Sequence, residues 1–432
     1  MSKVSPYLAL LRGNRDFTRL YAAQLISFAG DWFANVALLG LVLETTNSAA
    51  AASLVIVLQM AGFATISPFA GVLADRIDRK RLMVAADLVR IPIALLPLLS
   101  HDAATIWIAF VSLILLSAAG AFFEPASSAA LPNLVDEAEL SRANVLIGSA
   151  WGTMLAVGAG LGGLVAATLG RDAAFVIDAA TFATSAALII GIHRSFQLAR
   201  DHVDHSAHET SAFGAIRDAL HFARQSKPIA SFLLSKSTFG VGTGVVLMLA
   251  VFGRDVFSAG DVGIGLLFAA RGLGALTGPF IARSLVTLDN RGLATGIAGA
   301  LVVAIICYGL FPVAPSILLA ALLVFGAHLG GGAQWTLSTL GLQRAAPDAI
   351  RGRLFSFDFA LVTLTVGAST LLAGLVSEAF KPQVAVWAMV GLLAFSGVGW
   401  IWFSRSLWRR GDESYTAQPI EQSDDRDARL RS

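Results

Sequence analysis

Residues 49–81 read AAAASLVIVLQMAGFATISPFAGVLADRIDRKR: no charge falls before Asp75, and then every residue but Ile77 is ionic. A helix crosses the hydrocarbon of a bilayer in about 20 apolar residues, so the first part of this stretch is a complete span and the second is the charged turn that ends it. The pattern repeats outward in both directions. Nearly uncharged runs occupy 17–43, 49–73, 82–99, 104–131, 143–169 and 173–192, then, after a polar stretch, 229–252, 262–285, 293–311, 317–342, 354–376 and 384–403. Barrel strands need only about 10 residues with alternating polarity, so these runs are helices. Hydrophobic residues make up 56% of the 432 positions and charged residues 14%, against roughly 25% charged in soluble domains. Mean hydropathy is +0.71. The head, centre and tail aside, about 30 residues remain per helix and turn, which leaves no room for a soluble domain.

The expected architecture is therefore an all-α integral membrane fold, with twelve transmembrane helices in two six-helix bundles. Residues 1–195 form the first bundle, 196–225 a central cytoplasmic linker, 226–408 the second bundle and 409–432 a disordered cytoplasmic tail. With the N-terminus inside, 25 of the 31 basic residues face the cytoplasm, as the retention of Lys and Arg on that side requires. The predicted location is the plasma (inner) membrane, with both termini cytoplasmic. The basic head leads into a 17–43 run without a small-residue cleavage site, so the run is a retained first span rather than a signal peptide. Six helices per half with an inner linker put both halves in the membrane in the same direction, as parallel repeats. Gly71 and Arg76 recur as Gly278 and Arg283 at the matching place in the second half.

A formal charge of +2 and a single cysteine, Cys307, exclude a nucleic-acid module, a disulfide scaffold and a disordered chain. No His-Glu-x-x-His, Gly-x-Ser-x-Gly or phosphate-binding Gly-Lys-Ser/Thr loop occurs, so neither an enzyme nor self-contained ATP drive is expected. His202, His205 and His208 lie in a polar linker and read as a solvated segment, with no metal and no cofactor expected. Residues 213–222 alternate at helical spacing and are expected on the inner membrane surface.

The turn Gly71-Val-Leu-Ala-Asp75-Arg76-Ile-Asp78-Arg79-Lys80-Arg81 resembles the loop 2–3 signature of the major facilitator superfamily, with Asp78 in place of its second glycine. That departure is common in the drug-efflux branch. The resemblance implies that Asp75 docks on the start of helix 11, here Arg351-Gly352-Arg353, and latches the cytoplasmic side shut with Gly71, Arg76, Arg79 and Lys80 in the same loop. A carboxylate at the positive end of a helix dipole makes that physically sound. Similarity to proton-driven multidrug exporters, of the type that includes macrolide and enterobactin efflux proteins, extends over nearly the whole chain. It is carried by Arg15-Asp-Phe-Thr-Arg-Leu-Tyr, Gly30-Asp31-Trp32, Asp87-Leu-Val-Arg90, Pro125-Ala, the segment from Ala130 to Asn144, and Pro347-Asp-Ala-Ile-Arg-Gly-Arg353. Gly158, Gly160, Gly162 and Gly163 in helix 5 are similar to the family's antiporter signature, with Ala159 where Pro is usual, and read equally as helix-packing glycines.

A charge deep in a span costs at least about 2.5 kcal/mol, which makes each a functional candidate. Asp31, near the middle of its run, is the first candidate for proton coupling and Glu124 the second, with Lys236 and Arg271 as counter-charges of Asp31. Asp178 and Asp358 fall nearer the run ends and rank lower. Asp87 and Arg90, three apart, are expected to pair with each other. Gln24, Gln59, Phe239, His328, Gln334 and Trp335 are candidates to line a cavity. The expectation is a monomeric, proton-coupled exporter of small amphipathic molecules, its partners being substrate, protons and membrane lipid but no nucleic acid. A proton-coupled importer on the same fold is the alternative.

Overall fold

The structure, a computed structural model, describes residues 6–196 and 221–408, with the side chains of 67–69, 71–76, 141, 348–349 and 352 not described. The histidine-rich linker and the tail expected to be disordered lie outside the described residues, as does nearly all of the 213–222 segment. Twelve spans follow a short helix at Pro6–Gly13. They are α1 (Arg15–Thr46), α2 (Ala49–Arg76), α3 (Arg79–Ala94), α4 (Trp107–Leu134), α5 (Glu137–Leu169), α6 (Arg171–Ile190), α7 (Lys227–Val256), α8 (Gly260–Leu285), α9 (Asn290–Leu310), α10 (Ile317–Ala345), α11 (Asp348–Ala379) and α12 (Pro382–Phe403). All regular structure among the described residues is helical.

Helix starts are chemically marked. Asn14, Asp78, Ser226 and Ser316 each accept a hydrogen bond from the backbone N–H three residues on, satisfying a donor that the first turn would otherwise leave free. The cap explains why Asp78 fits where the family pattern has glycine. Helix α7 is not continuous: α-helical geometry stops at Gly240, resumes at Val245–Val251 and ends in a π-turn at Phe252–Val256. The interruption carries Gly240, Gly242 and Gly244, and Ser369 of α11 seals it, accepting from the Gly244 N–H at 2.8 Å and donating to the Val241 carbonyl at 2.6 Å.

Helices α1 to α6 pack on one another, as do α7 to α12, and the two groups meet chiefly where α5 lies on α8 and α2 on α11. We name the two ends of the molecule the basic face, which carries Arg79, Lys80, Arg81 and Arg344, and the far face, which carries Glu44, Arg171 and Asp261. Small residues bring α5 and α8 into backbone contact near the far face, where a Cβ on Gly163 would stand 2.9 Å from the Gly265 Cα. Four residues toward the basic face per turn, the contact persists at Ala156 and Gly272, loosens to 3.8 Å at Gly152 and Leu276, and is gone at Gly148. The α2–α11 contact behaves alike: Gly374 abuts Ala50 and Ser53 at about 3 Å near the far face, while Gly367 meets nothing within 4 Å. Both seams are shut at the far face and part toward the basic face.

Candidate functional site

The far face is closed by charge as well as by packing. Arg171, which opens α6, donates to both Asp261 oxygens on α8, at 2.9 and 3.3 Å, and also to Glu44 at the end of α1. Ser48, ahead of α2, donates to Glu378 on α11. Both contacts join the first bundle to the second. Their sequence signal was the placement of charges immediately beside far-face turns in both halves, which a span count passes over.

Inside the first bundle one cation organises four acids. The Arg90 guanidinium lies 3.4 Å from Asp87 and its field also acts on Asp31, Glu124 and Asp178. It is sandwiched by Phe123 and Phe182, at 5.7 and 5.1 Å from the ring centres, and it fills the space that a Cβ on Gly120 would take. Ser185 of α6 donates to the second Asp87 oxygen at 2.7 Å. Gly30 leaves room for Asp178, whose Oδ1 would stand 2.7 Å from a Cβ there. Asp87 and Asp178 are sealed, at 0% and 1% exposure, whereas Asp31 and Glu124 remain partly accessible. Of the four acids, Asp31 and Glu124 are thus the less enclosed residues.

The second bundle holds its own buried pair, Lys236 of α7 with Asp358 of α11. The Lys236 ammonium also lies 5.0 Å from the Trp335 ring and 5.8 Å from that of Phe355. Lys236 is therefore not the counter-charge of Asp31, because Asp358, on the neighbouring helix of the same bundle, already neutralises it. Arg271 is not that counter-charge either: it faces Phe268, at 5.7 Å, and shares its field with Tyr308 and His328. The cation beside Asp31 is Arg90, expected only to pair with Asp87. Asp178 and Asp358, ranked low for lying near run ends, are among the most deeply buried acids.

Of the cavity candidates, Gln24, His328 and Gln334 are buried and bonded within a bundle, to Ser127 Oγ at 2.9 Å, to the Tyr308 hydroxyl and to the Ser235 carbonyl respectively, the Gln24 side-chain oxygen being left without a hydrogen bond. Gln59, Phe239 and Trp335 keep accessible surface. The helix 5 glycines divide between two neighbours. Gly158 and Gly162 abut Trp32 and Phe33 of α1, whereas Gly160 and Gly163 abut Ala269 and Gly265 of α8. In the loop between α2 and α3, Arg79 donates to the carbonyls of Ala129 and Phe196, and Lys80 to those of Ile190 and Ile192. These two cations bind helix ends of their own bundle, not α11. Arg351 donates to the Ala346 carbonyl at 3.2 Å. The side chains of Gly71, Asp75 and Arg76 lie outside the described residues, and Arg353 has partners of its own.

Comparison with known proteins agrees with this geometry. The Major Facilitator Superfamily description matches residues 20–357. A relative named as the bacilysin exporter BacE, from Bacillus amyloliquefaciens, is 26% identical over 354 residues, covering 80% of this chain and 84% of its own. Macrolide efflux protein A of Streptococcus pyogenes is 30% identical over 128 residues, 29% of this chain and 32% of its own. Among solved structures, a bacterial homologue of the human lysosomal transporter Spinster, inward-facing and unoccupied, superimposes with a TM-score of 0.72 at 13% identity, covering 95% of this chain and 100% of that one. The nucleoside transporter NupG gives 0.68 at 16% identity, covering 90% and 99%. With the twelve spans, the two helix groups and the family match together, the chain is a multi-pass membrane protein that belongs to the Major Facilitator Superfamily.

Proposed function

We propose that this protein is a secondary active transporter that exports small amphipathic molecules from the cytoplasm in exchange for protons, by alternating access. The observation that carries the reading is the Arg90 cluster. Four carboxyls share one guanidinium in the interior of a bundle, and like charges so placed cannot all ionise without a large desolvation cost. Asp31 and Glu124, the two of these acids that are less fully buried, are the candidate proton carriers. Relatives named for bacilysin export and macrolide efflux support the outward direction. The basic face lies in the cytoplasm of the plasma membrane, with both termini on that side, because basic residues stay there. In this orientation the structure is open inward, ready to load cargo.

The test is transport in everted vesicles with an inward-acid gradient. The wild type is expected to accumulate an amphipathic drug, and an uncoupler to collapse that accumulation. Asp31→Asn, which imitates the protonated acid, is expected to abolish gradient-driven accumulation while substrate binding survives. Normal pH dependence in Asp31→Asn would move the coupling role to Glu124. Net uptake by intact cells, with no export under any gradient, would reject the exporter in favour of a symporter.

A further inference from the structure

The charge of Arg271 has no use in the mechanism above. Arg271 sits on α8 about one turn before that helix's contact with α5 loosens at Leu276, and among the described residues no carboxylate comes within ion-pair reach of it. Its Nε is buried and unbonded. The groups around it are the Phe268 ring and the Tyr308–His328 pair, which are already hydrogen-bonded to each other. Two other cations deep within spans each have an acid: Arg90 has Asp87 and Lys236 has Asp358. A guanidinium in a membrane interior is costly without an anion, and its planar fork of donors is matched by a carboxylate.

Position says where that anion comes from. Phe268, one turn before Arg271, makes a ring contact at 6.1 Å with Trp32 of α1, the residue after Asp31, and Trp32 in turn meets Trp151 of α5 at 6.2 Å. This aromatic group spans the two bundles, and beyond it the α5–α8 seam parts toward the basic face. Arg271 itself is only partly buried. An apolar body lying against Trp32 and Trp151 would place an attached acid group within reach of the guanidinium.

We propose that Arg271 is the docking point for a carboxylate on the transported molecule, so that the cargo is an amphipathic acid rather than a plain lipophilic cation. This rests on the transporter reading but not on its direction or its proton coupling. The cargo's acid group then binds on the second bundle, apart from the Arg90 cluster of the first.

Equilibrium binding to the purified protein in lipid nanodiscs, with no gradient, tests this separately from transport. The probes are naphthylacetic and phenylbutyric acids, each measured against its neutral primary amide, which keeps the shape and removes the charge. The wild type is expected to hold each acid at least about tenfold more tightly than its amide, a charge-assisted pair. Arg271→Gln should erase the difference, and Arg271→Lys should restore part of it. Because Arg271→Gln removes an uncompensated cation, its ligand-free melting temperature should equal or exceed that of the wild type, which shows that it is folded. No preference for the acids in the wild type, including no binding of either form, overturns the proposal. So does a preference that survives in Arg271→Gln but disappears in Lys236→Gln.

Discussion

Arg90 does more than its spacing from Asp87 announces. Its guanidinium is held between two rings, occupies the gap left by Gly120 and pairs with the sealed Asp87, so its removal strands a buried carboxylate. Arg90→Met is expected to destabilise the first bundle by about 3–5 kcal/mol, the cost of breaking a buried pair from one side, seen as a lower melting temperature and poor recovery of folded protein. Arg90→Met combined with Asp87→Leu should recover part of that loss; no recovery would show that the pair is not the stabilising unit. The acids themselves were legible as charges inside apolar runs, but their ranking was not. Counting residues from the end of a run measures depth along the membrane normal, whereas burial depends on which neighbours cover the side chain. Asp178 is sealed because Gly30 makes room for it and Asp358 because Lys236 reaches it, and neither relation is local in sequence.

At the level of helices, length and hydropathy fixed the spans closely, because each is a physical thickness to be crossed. The interruption of α7 escaped that reading, since Gly240-Val-Gly-Thr-Gly244 is as apolar as the helix it breaks. Its cause is tertiary: a Cβ at Gly244 would stand 2.7 Å from Ala373 Cβ and 2.8 Å from Met389 Sδ, and the freed backbone groups find Ser369. Broken helices re-bonded by a neighbour's side chain are tolerated in membranes only where protein covers them. Gly244→Val should therefore abolish folding and membrane accumulation, whereas Gly367→Ala and Gly148→Ala, whose added methyl meets nothing within 4 Å, should express and melt as the wild type does. Ser369→Ala should transport normally only if the turn's bonds are unimportant; the expectation is a melting temperature lower by several degrees, given about 1 kcal/mol per lost hydrogen bond.

For the whole molecule, alternating access requires that each face be held shut in one state and released in the other, and that the two sets of contacts nearly balance. In this structure the far face is held by Arg171 with Asp261 and Glu44, and by Ser48 with Glu378. The opposite state is expected to be held at the basic face by Asp75 with Arg351 and Arg353. A ligand or mutation moves such an equilibrium only by what it changes in one state relative to the other. Arg171→Gln is therefore expected to weaken the state seen here, shut at the far face, and Asp75→Asn the opposite state. A loss of about 1–2 kcal/mol in either state shifts the populations roughly 5- to 30-fold. Spin labels at Thr46 and Ser258, on opposite sides of the far-face seam, should report longer distances in Arg171→Gln and a narrow short distance in Asp75→Asn, with transport reduced in both. Combining the two substitutions should return the distance distribution, and part of the transport, toward wild type, because the two losses oppose each other across a single equilibrium. Distances in the double variant that match either single variant would show that the two faces are not coupled through one rocking motion, and would sink the latch pair.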